Sequence, residues 1–130
     1  MVAVTLRCVI VDDSRAVLRA ASELLEGQGI AVVGVATTAE QAISLVEELE
    51  PDVVLVDIDL GAESGFDLAL RLEHTSDRAR TRIILISTYD EADFAKLIEA
   101  SPAIGFVPKS DLSATAVRRL LAETHDEGRD

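Results

Sequence analysis

The sequence predicts an α/β fold, a doubly wound sheet of five parallel strands with helices on both faces, and three observations lead there. Short β-branched runs alternate five times with longer amphipathic stretches, the pattern of repeated βα units. Two of those runs, VVLVD and RIILIS, are almost wholly apolar instead of alternating, as central parallel strands must be when both their faces are covered. The chain has 130 residues, 48% hydrophobic and 28% charged, which suits one ordered domain with one core.

The elements follow in order. Strands are expected at Leu6 to Val11, Ile30 to Ala36, Val53 to Val56, Ile83 to Ser87 and Ile104 to Val107, where β-branched residues cluster. Helices fill the gaps. Ser14 reads as the N-cap of the first helix, and Thr38 with Gln41 three residues later as a capping box for the second. Pro51 stops the second helix, because it biases Glu50 away from the α region, and releases the chain into the third strand. The fifth helix is expected from Leu112 to about Ala122. With right-handed crossovers and the strand order 2-1-3-4-5, the topological switch point falls between the first and third strands, at their carboxyl ends.

Composition narrows the function. A net charge of -12, from 24 acids against 12 Lys plus Arg, argues against direct nucleic-acid binding or a grip on an anionic membrane. No apolar run approaches the roughly 18 residues of a bilayer span. The N-terminus, MVAVTLRCVIVDD, reads as a strand rather than a signal peptide, so a soluble, cytoplasmic protein is expected. Cys8 is the single cysteine and lies in an apolar strand, which points to a buried structural thiol. His74 and His125 have no Cys or His at metal-ligand spacing; both are expected at the surface, without zinc.

The chemistry gathers at the switch point. The first strand ends VIVDD, placing Asp12 and Asp13 at its carboxyl edge, and the third ends VLVDID, placing Asp57 at the neighbouring edge with Asp59 two residues on. Two like charges about 4 Å apart repel by about 1 kcal/mol in water and about 4 kcal/mol at an effective dielectric near 20. Such a cluster needs a cation or raised pKa values. Hard oxygen ligands with room for water and phosphate suit Mg²⁺, with Mn²⁺ as a substitute. The fifth strand ends GFVPK, so Lys109, one of two lysines, follows its carboxyl end and can serve a phosphate oxygen or a carboxylate as a point charge. Ser87 and Thr88 end the fourth strand and offer hydroxyl donors. Each residue alone has a plain structural reading, as a cap, a turn acid or a solvated lysine; the convergence is what marks a site.

Together VIVDDS, VLVDIDLGAESGFDL, IILIST and GFVPK resemble the receiver domain of bacterial response regulators in two-component signalling, of the chemotaxis-regulator type, over nearly the whole chain. The resemblance implies a flavodoxin-like (βα)5 fold, with residues 1–123 as the receiver and 124–130 as a short acidic tail or the start of a linker. It implies that Asp57 is the phosphoacceptor and that Asp12, Asp13, Asp57 and the backbone carbonyl of Asp59 hold Mg²⁺. Ser87, Thr88 and Lys109 would bind the phosphoryl group. Phe106 would be the aromatic switch, acting through packing because it lacks a hydroxyl, and Asp59 and Tyr89 would hold the positions that tune phosphoryl lifetime. The implied partner is a sensor histidine kinase or a phosphotransfer protein, and the chain would catalyse only its own phosphorylation and dephosphorylation. Gly65 matches a family glycine. Two departures stand out: Gly61 replaces a frequent proline, and Lys109 is preceded by Pro108 and followed by Ser110, where the family frequently has proline after the lysine.

Two other functions compete. VLVDIDLG contains a D-x-D after an apolar strand, as in phosphatases of the haloacid dehalogenase type. That family places the motif near the start of the chain and adds a cap or a longer body. A receiver-like module silent to phosphorylation would lack the acids and the lysine kept here. For output, the chain ends THDEGRD after the fifth helix and stands alone on this reading. Alternatively, KSDLSA resembles receivers fused to helix-turn-helix DNA-binding domains of transcription regulators. Phe94, Leu97 and Ile98 on the fourth helix, with Arg118 and Arg119 on the fifth, form either a partner or homodimer face or core and solvated rim.

Overall fold

The computed structural model describes residues 5–75 and 81–127. Five strands, β1 Arg7–Val11, β2 Ala31–Ala36, β3 Val53–Asp57, β4 Arg82–Ser87 and β5 Gly105–Pro108, form one parallel sheet in the expected order 2-1-3-4-5. Each lies within one residue of its expected bounds. Along the strands, successive side chains point to opposite faces, and the core divides accordingly. Val9, Val11, Val54, Val56, Ile83, Leu85 and Phe106 join one apolar cluster; Cys8, Ile10, Val53, Leu55, Ile84, Ile86 and Val107 join the other. The first cluster is closed by α2 (Ala39–Leu49) and α3 (Gly65–Thr75), through Ala42, Val46, Leu68 and Leu72. The second is closed by α1 (Arg15–Gly27) and α5 (Ala114–Glu127), through Leu18, Leu25, Ala114 and Val117. Burying each Leu or Ile contributes about 1.5–3 kcal/mol.

The helix ends explain themselves locally. Ser14 Oγ accepts the Val17 N–H at 3.3 Å, the expected cap. Thr38 Oγ1 accepts the Gln41 N–H at 3.2 Å, but Gln41 Oε1 reaches back one residue further than a capping box requires, to the Thr37 N–H at 2.9 Å. Glu50, forced out of the right-handed α region by Pro51, adopts φ 46°. The Arg7 guanidinium donates to the carbonyls of Leu49 and Glu50, at 2.8 and 3.1 Å, and so closes that helix end.

Three features depart from expectation. The fourth helix, α4, is only Ala95–Ala100, and Phe94 belongs to the 3-10 turn Glu91–Phe94 ahead of it. The fifth begins at Ala114 instead of Leu112, because Lys109–Asp111 form another 3-10 turn and Leu112 is extended; it then runs past Ala122 to Glu127. Finally, Asp59–Leu60 and Glu63–Ser64 pair as a small antiparallel ribbon.

Cys8 is fully buried, and burial pushes its thiol up to about 12, in keeping with the structural role expected. His74 is exposed, as expected, whereas the His125 side chain lies outside the described residues. Among the described residues no helix is long and apolar enough to cross a membrane.

Candidate functional site

The parallel register brings the acids together. Val11 pairs with Val56, so Asp12 and Asp57 leave adjacent strands side by side. Carboxylate oxygens of Asp12, Asp13 and Asp57 all lie within 4.8 Å of one another. Asp12 is fully buried and Asp57 is 4% exposed, while Asp13 faces solvent. From the far end of the sheet edge, Lys109 reaches in: its ammonium is 2.7 Å from Asp12 Oδ2 and 3.0 Å from Asp57 Oδ2.

Electrostatics leave this cluster short of positive charge. One ammonium faces three carboxylates, and Asp12 Oδ2, fully buried, has no well-formed hydrogen bond beside that ion pair. Burial pushes the Asp57 carboxyl above its ordinary range, and the Asp12 charge adds to this against the opposing pull of the Asp59 N–H and of Lys109. Burial also works against the Lys109 ammonium, but contacts with Asp12 and Asp57 prevail and hold it above its ordinary value. A buried, under-compensated set of hard oxygen donors, one edge of it open at Asp13, fits a hydrated Mg²⁺ ion. Zinc would want thiolate or imidazole ligands.

The loop after Asp57 is tightly tied. Asp57 Oδ1 accepts the Asp59 N–H at 3.2 Å, and Asp59 Oδ1 accepts the Gly61 N–H at 3.0 Å. Gly61 has φ 76°, and a Cβ there would come within 3.1 Å of Asp13 Oδ2. Proline at this position would lose the N–H and could not reach that φ, which accounts for the departure noted in the sequence. At Gly65 a Cβ would run into the Asp57 carbonyl, and the Gly65 N–H donates to the Ile58 carbonyl at 2.9 Å. Glycine is thus required by close approach. The peptide bond from Lys109 to Ser110 is trans.

The other anticipated residues lie further out. Ser87 is buried one residue beyond Ile86, the partner of Asp57, and its hydroxyl accepts the Tyr89 N–H at 2.9 Å. Thr88 is exposed. The Tyr89 ring, half exposed, contacts Phe94 at a centroid distance of 5.8 Å, and Phe94 in turn contacts Phe66 at 6.1 Å. Phe106 is buried in the cluster closed by α2 and α3. Sequence reasoning passed over Glu63, whose Oε1 accepts the Ala39 N–H at the start of α2 at 3.0 Å. Nothing in a single acid within a loop signals that contact.

Comparisons with known proteins agree with this geometry. A family model described as the response regulator receiver domain matches residues 8–120. A protein-glutamate methylesterase/protein-glutamine glutaminase from Anaeromyxobacter dehalogenans is 36% identical over 121 residues, covering 92% of this chain and 34% of that protein. The transcriptional regulatory protein YvfU of Bacillus subtilis, itself uncharacterized, is 28% identical over 120 residues, covering 89% of this chain and 59% of that one. The chain therefore spans less than two thirds of either relative. Among solved structures, a LuxR-family two-component response regulator from Aurantimonas sp. superposes with a TM-score of 0.79 at 31% identity, covering 92% of this chain and 84% of that one. The response regulator domain of Thermotoga maritima CheB gives 0.72 at 26% identity, covering 97% and 95%.

Proposed function

Because the chain belongs to the response regulator receiver domain family, we propose that it is a cytoplasmic, phosphorylation-dependent switch that carries its phosphoryl group on Asp57. The observation that carries this reading is the Lys109 ammonium shared between Asp12 and Asp57, at 2.7 and 3.0 Å, in a three-carboxylate cluster at the switch point. Residues 1–123 are the receiver on this reading, and 124–130 lead into a tail or linker.

In the proposed reaction a carboxylate oxygen of Asp57 attacks the phosphorus of a phosphohistidine on a sensor kinase or phosphotransfer protein. An O–P bond forms and the N–P bond breaks; the departing imidazole nitrogen keeps the electron pair and takes a proton from solvent. Asp12, Asp13, Asp57 and the Asp59 carbonyl would hold Mg²⁺, or Mn²⁺ in its place, which when bound neutralises charge on the phosphoryl oxygens. Lys109, already paired with Asp57, follows the charge from carboxylate to phosphoryl oxygen. Ser87 then turns its hydroxyl to donate to the new acceptor, giving up the Tyr89 N–H, with Thr88 beside it. Phosphorylation adds about -1.5 to -2 charges, so the Tyr89 loop and the packing around Phe106 respond together. Water later cleaves the acyl phosphate and regenerates the carboxylate, at a rate that Asp59 and Tyr89 tune. The output is regulation of a partner or of a fused domain. The likeness to a transcriptional regulatory protein and to a LuxR-family regulator supports a DNA-binding output supplied outside this domain.

The test is intact mass after incubation with acetyl phosphate, with and without Mg²⁺. The parent gains one phosphoryl group only with Mg²⁺, while Asp57→Asn and Asp57→Ala gain none. An unmodified parent, or an adduct that persists in both variants, overturns the assignment.

A further inference from the structure

We infer that Glu63 is a positioning residue for the cation site, a strut that fixes the Asp59 segment against the start of α2. The inference rests on the metal-binding reading above and concerns how the chain holds its own ligands in place.

Ile58 is tied to the Ile86 carbonyl and the Gly65 N–H, and Leu60 is buried in the core, but the Asp59 backbone between them has few anchors of its own. One is the Asp57 carboxylate itself, which accepts the Asp59 N–H. Another is the short ribbon, in which Asp59 pairs with Ser64 and Leu60 with Glu63 around a Gly61–Ala62 turn. Two residue pairs are far too few to hold a hairpin by themselves. The first anchor also changes when the carboxylate is bonded to anything else, so a further tie that does not depend on Asp57 steadies the segment.

Glu63 supplies it. Its Oε1 accepts the Ala39 N–H at 3.0 Å, one of the four donors that the first turn of a helix leaves without an intrahelical partner. The carboxylate also meets the positive end of the helix dipole. This helix start is fixed to the other ligands, because the strand leading to it accepts the Asp12 N–H at the Ala36 carbonyl, 3.0 Å. Asp12, Ala36, the first turn of α2, Glu63, the ribbon and Asp57 thus form a closed circuit around the site. Glu63 joins the ribbon to α2 through a side-chain hydrogen bond, beside the apolar packing of Leu60 in the cluster that includes Ala39 and Ala42. Gly61 lies within the same ribbon, and its close approach to Asp13 means that movement of the ribbon also moves the space that Asp13 occupies. Supporting residues of this kind typically change metal affinity by about 10-fold or more when removed.

The experiment titrates Mg²⁺ into the metal-free full chain by calorimetry and, separately, follows amide hydrogen exchange at Asp59 and Gly61 without metal. It compares the parent, Glu63→Ala and Glu63→Gln. Glu63→Ala is expected to weaken Mg²⁺ about 10-fold and to speed exchange at both amides. Glu63→Gln, which keeps an oxygen acceptor, stays within about 2-fold of the parent in Mg²⁺ affinity, near the scale of a single retained hydrogen bond. Equal weakening in both variants with unchanged exchange would mean that Glu63 acts only as a nearby negative charge, and would overturn the positioning role. So would an alanine variant that binds Mg²⁺ like the parent. A parent that binds no Mg²⁺ instead overturns the metal-site reading, and this inference with it.

Discussion

On one side of Asp57, the residues from Cys8 to Asp12 and from Val53 to Ile58 are buried without a break. On the other side, beyond Ser87, every residue from Thr88 to Ala100 is exposed except Phe94 and Ile98, which are half-buried. The first region is held by core packing from both faces and by hydrogen bonds on both strand edges. The second rests on a six-residue helix with no buried side chain and on the run of rings from Phe66 through Phe94 to Tyr89. Asp57 is thus carried by a fully packed part of the fold, and the segment next to the Ser87 hydroxyl by a thinly packed one. Local opening free energies follow packing in this way. On the proposed function, this division suits the two roles: an acceptor that meets a partner's phosphorus needs fixed geometry, and an element that responds to it needs a low cost of changing shape.

The largest expected effect sharpens that contrast directly. Leu55→Ala empties a fully buried position in β3 and should lower unfolding free energy by about 3 kcal/mol. Leu97→Ala on α4, where the side chain is 53% exposed, should change it by less than about 0.5 kcal/mol. Urea unfolding of the pair measures both, and equal losses would break the comparison. Next come two glycines. Gly65→Ala drives a methyl into the Asp57 backbone, whereas Gly105→Ala meets the Leu120 side chain at 2.7 Å, which can turn aside. A loss of about 3 kcal/mol is expected for the first and about 1 kcal/mol for the second, with phosphoryl uptake lost only in the first.

The smallest effect concerns pH. The folded carboxyl of Asp57 is raised above its ordinary value of 3.8, so the folded state favours the protonated form. Ionisation therefore costs stability as pH rises through the raised value, and that cost is absent below the ordinary one. Without divalent cations, Asp57→Asn should be more stable than the parent at about pH 7, with the gap closing as the pH falls toward about 4. Adding Mg²⁺ at neutral pH should stabilise the parent and reverse the ranking. Thermal melts across pH, with chelator or Mg²⁺, check each arm; a gap that widens on acidification would contradict the assigned direction.

Much of this was readable in the residues. Apolar runs such as VVLVD and RIILIS match what central parallel strands need, and with the strand order 2-1-3-4-5 they place Asp12, Asp13, Asp57 and Lys109 at one edge of the sheet. That inference needed no side-chain detail, because parallel strands that start in register deliver their carboxyl ends together. The small ribbon was not readable, because Asp59–Leu60 and Glu63–Ser64 lack any β-branched or alternating signal and pair around a turn at Gly61 whose φ of 76° is set by tertiary contacts. The start of the fourth helix misled for the opposite reason. EADFAKLIEA has helical spacing throughout, but few buried contacts reward its first turn, which tightens into a 3-10 form. Phe106 shows a third limit: its place in the strand was plain, whereas its burial in the α2–α3 cluster depended on helices packed from elsewhere in the chain.

The Cys8 thiol, sealed in the sheet with its ionisation pushed up to about 12, gives the molecule a practical blank slate. Sulfur chemistry at neutral pH requires thiolate and access, and this side chain offers neither. A cysteine introduced at Leu97 or Thr88 would then be the sole reactive thiol on the surface, so spin labels or dyes could be attached to the exposed side of the fold without first removing the native residue.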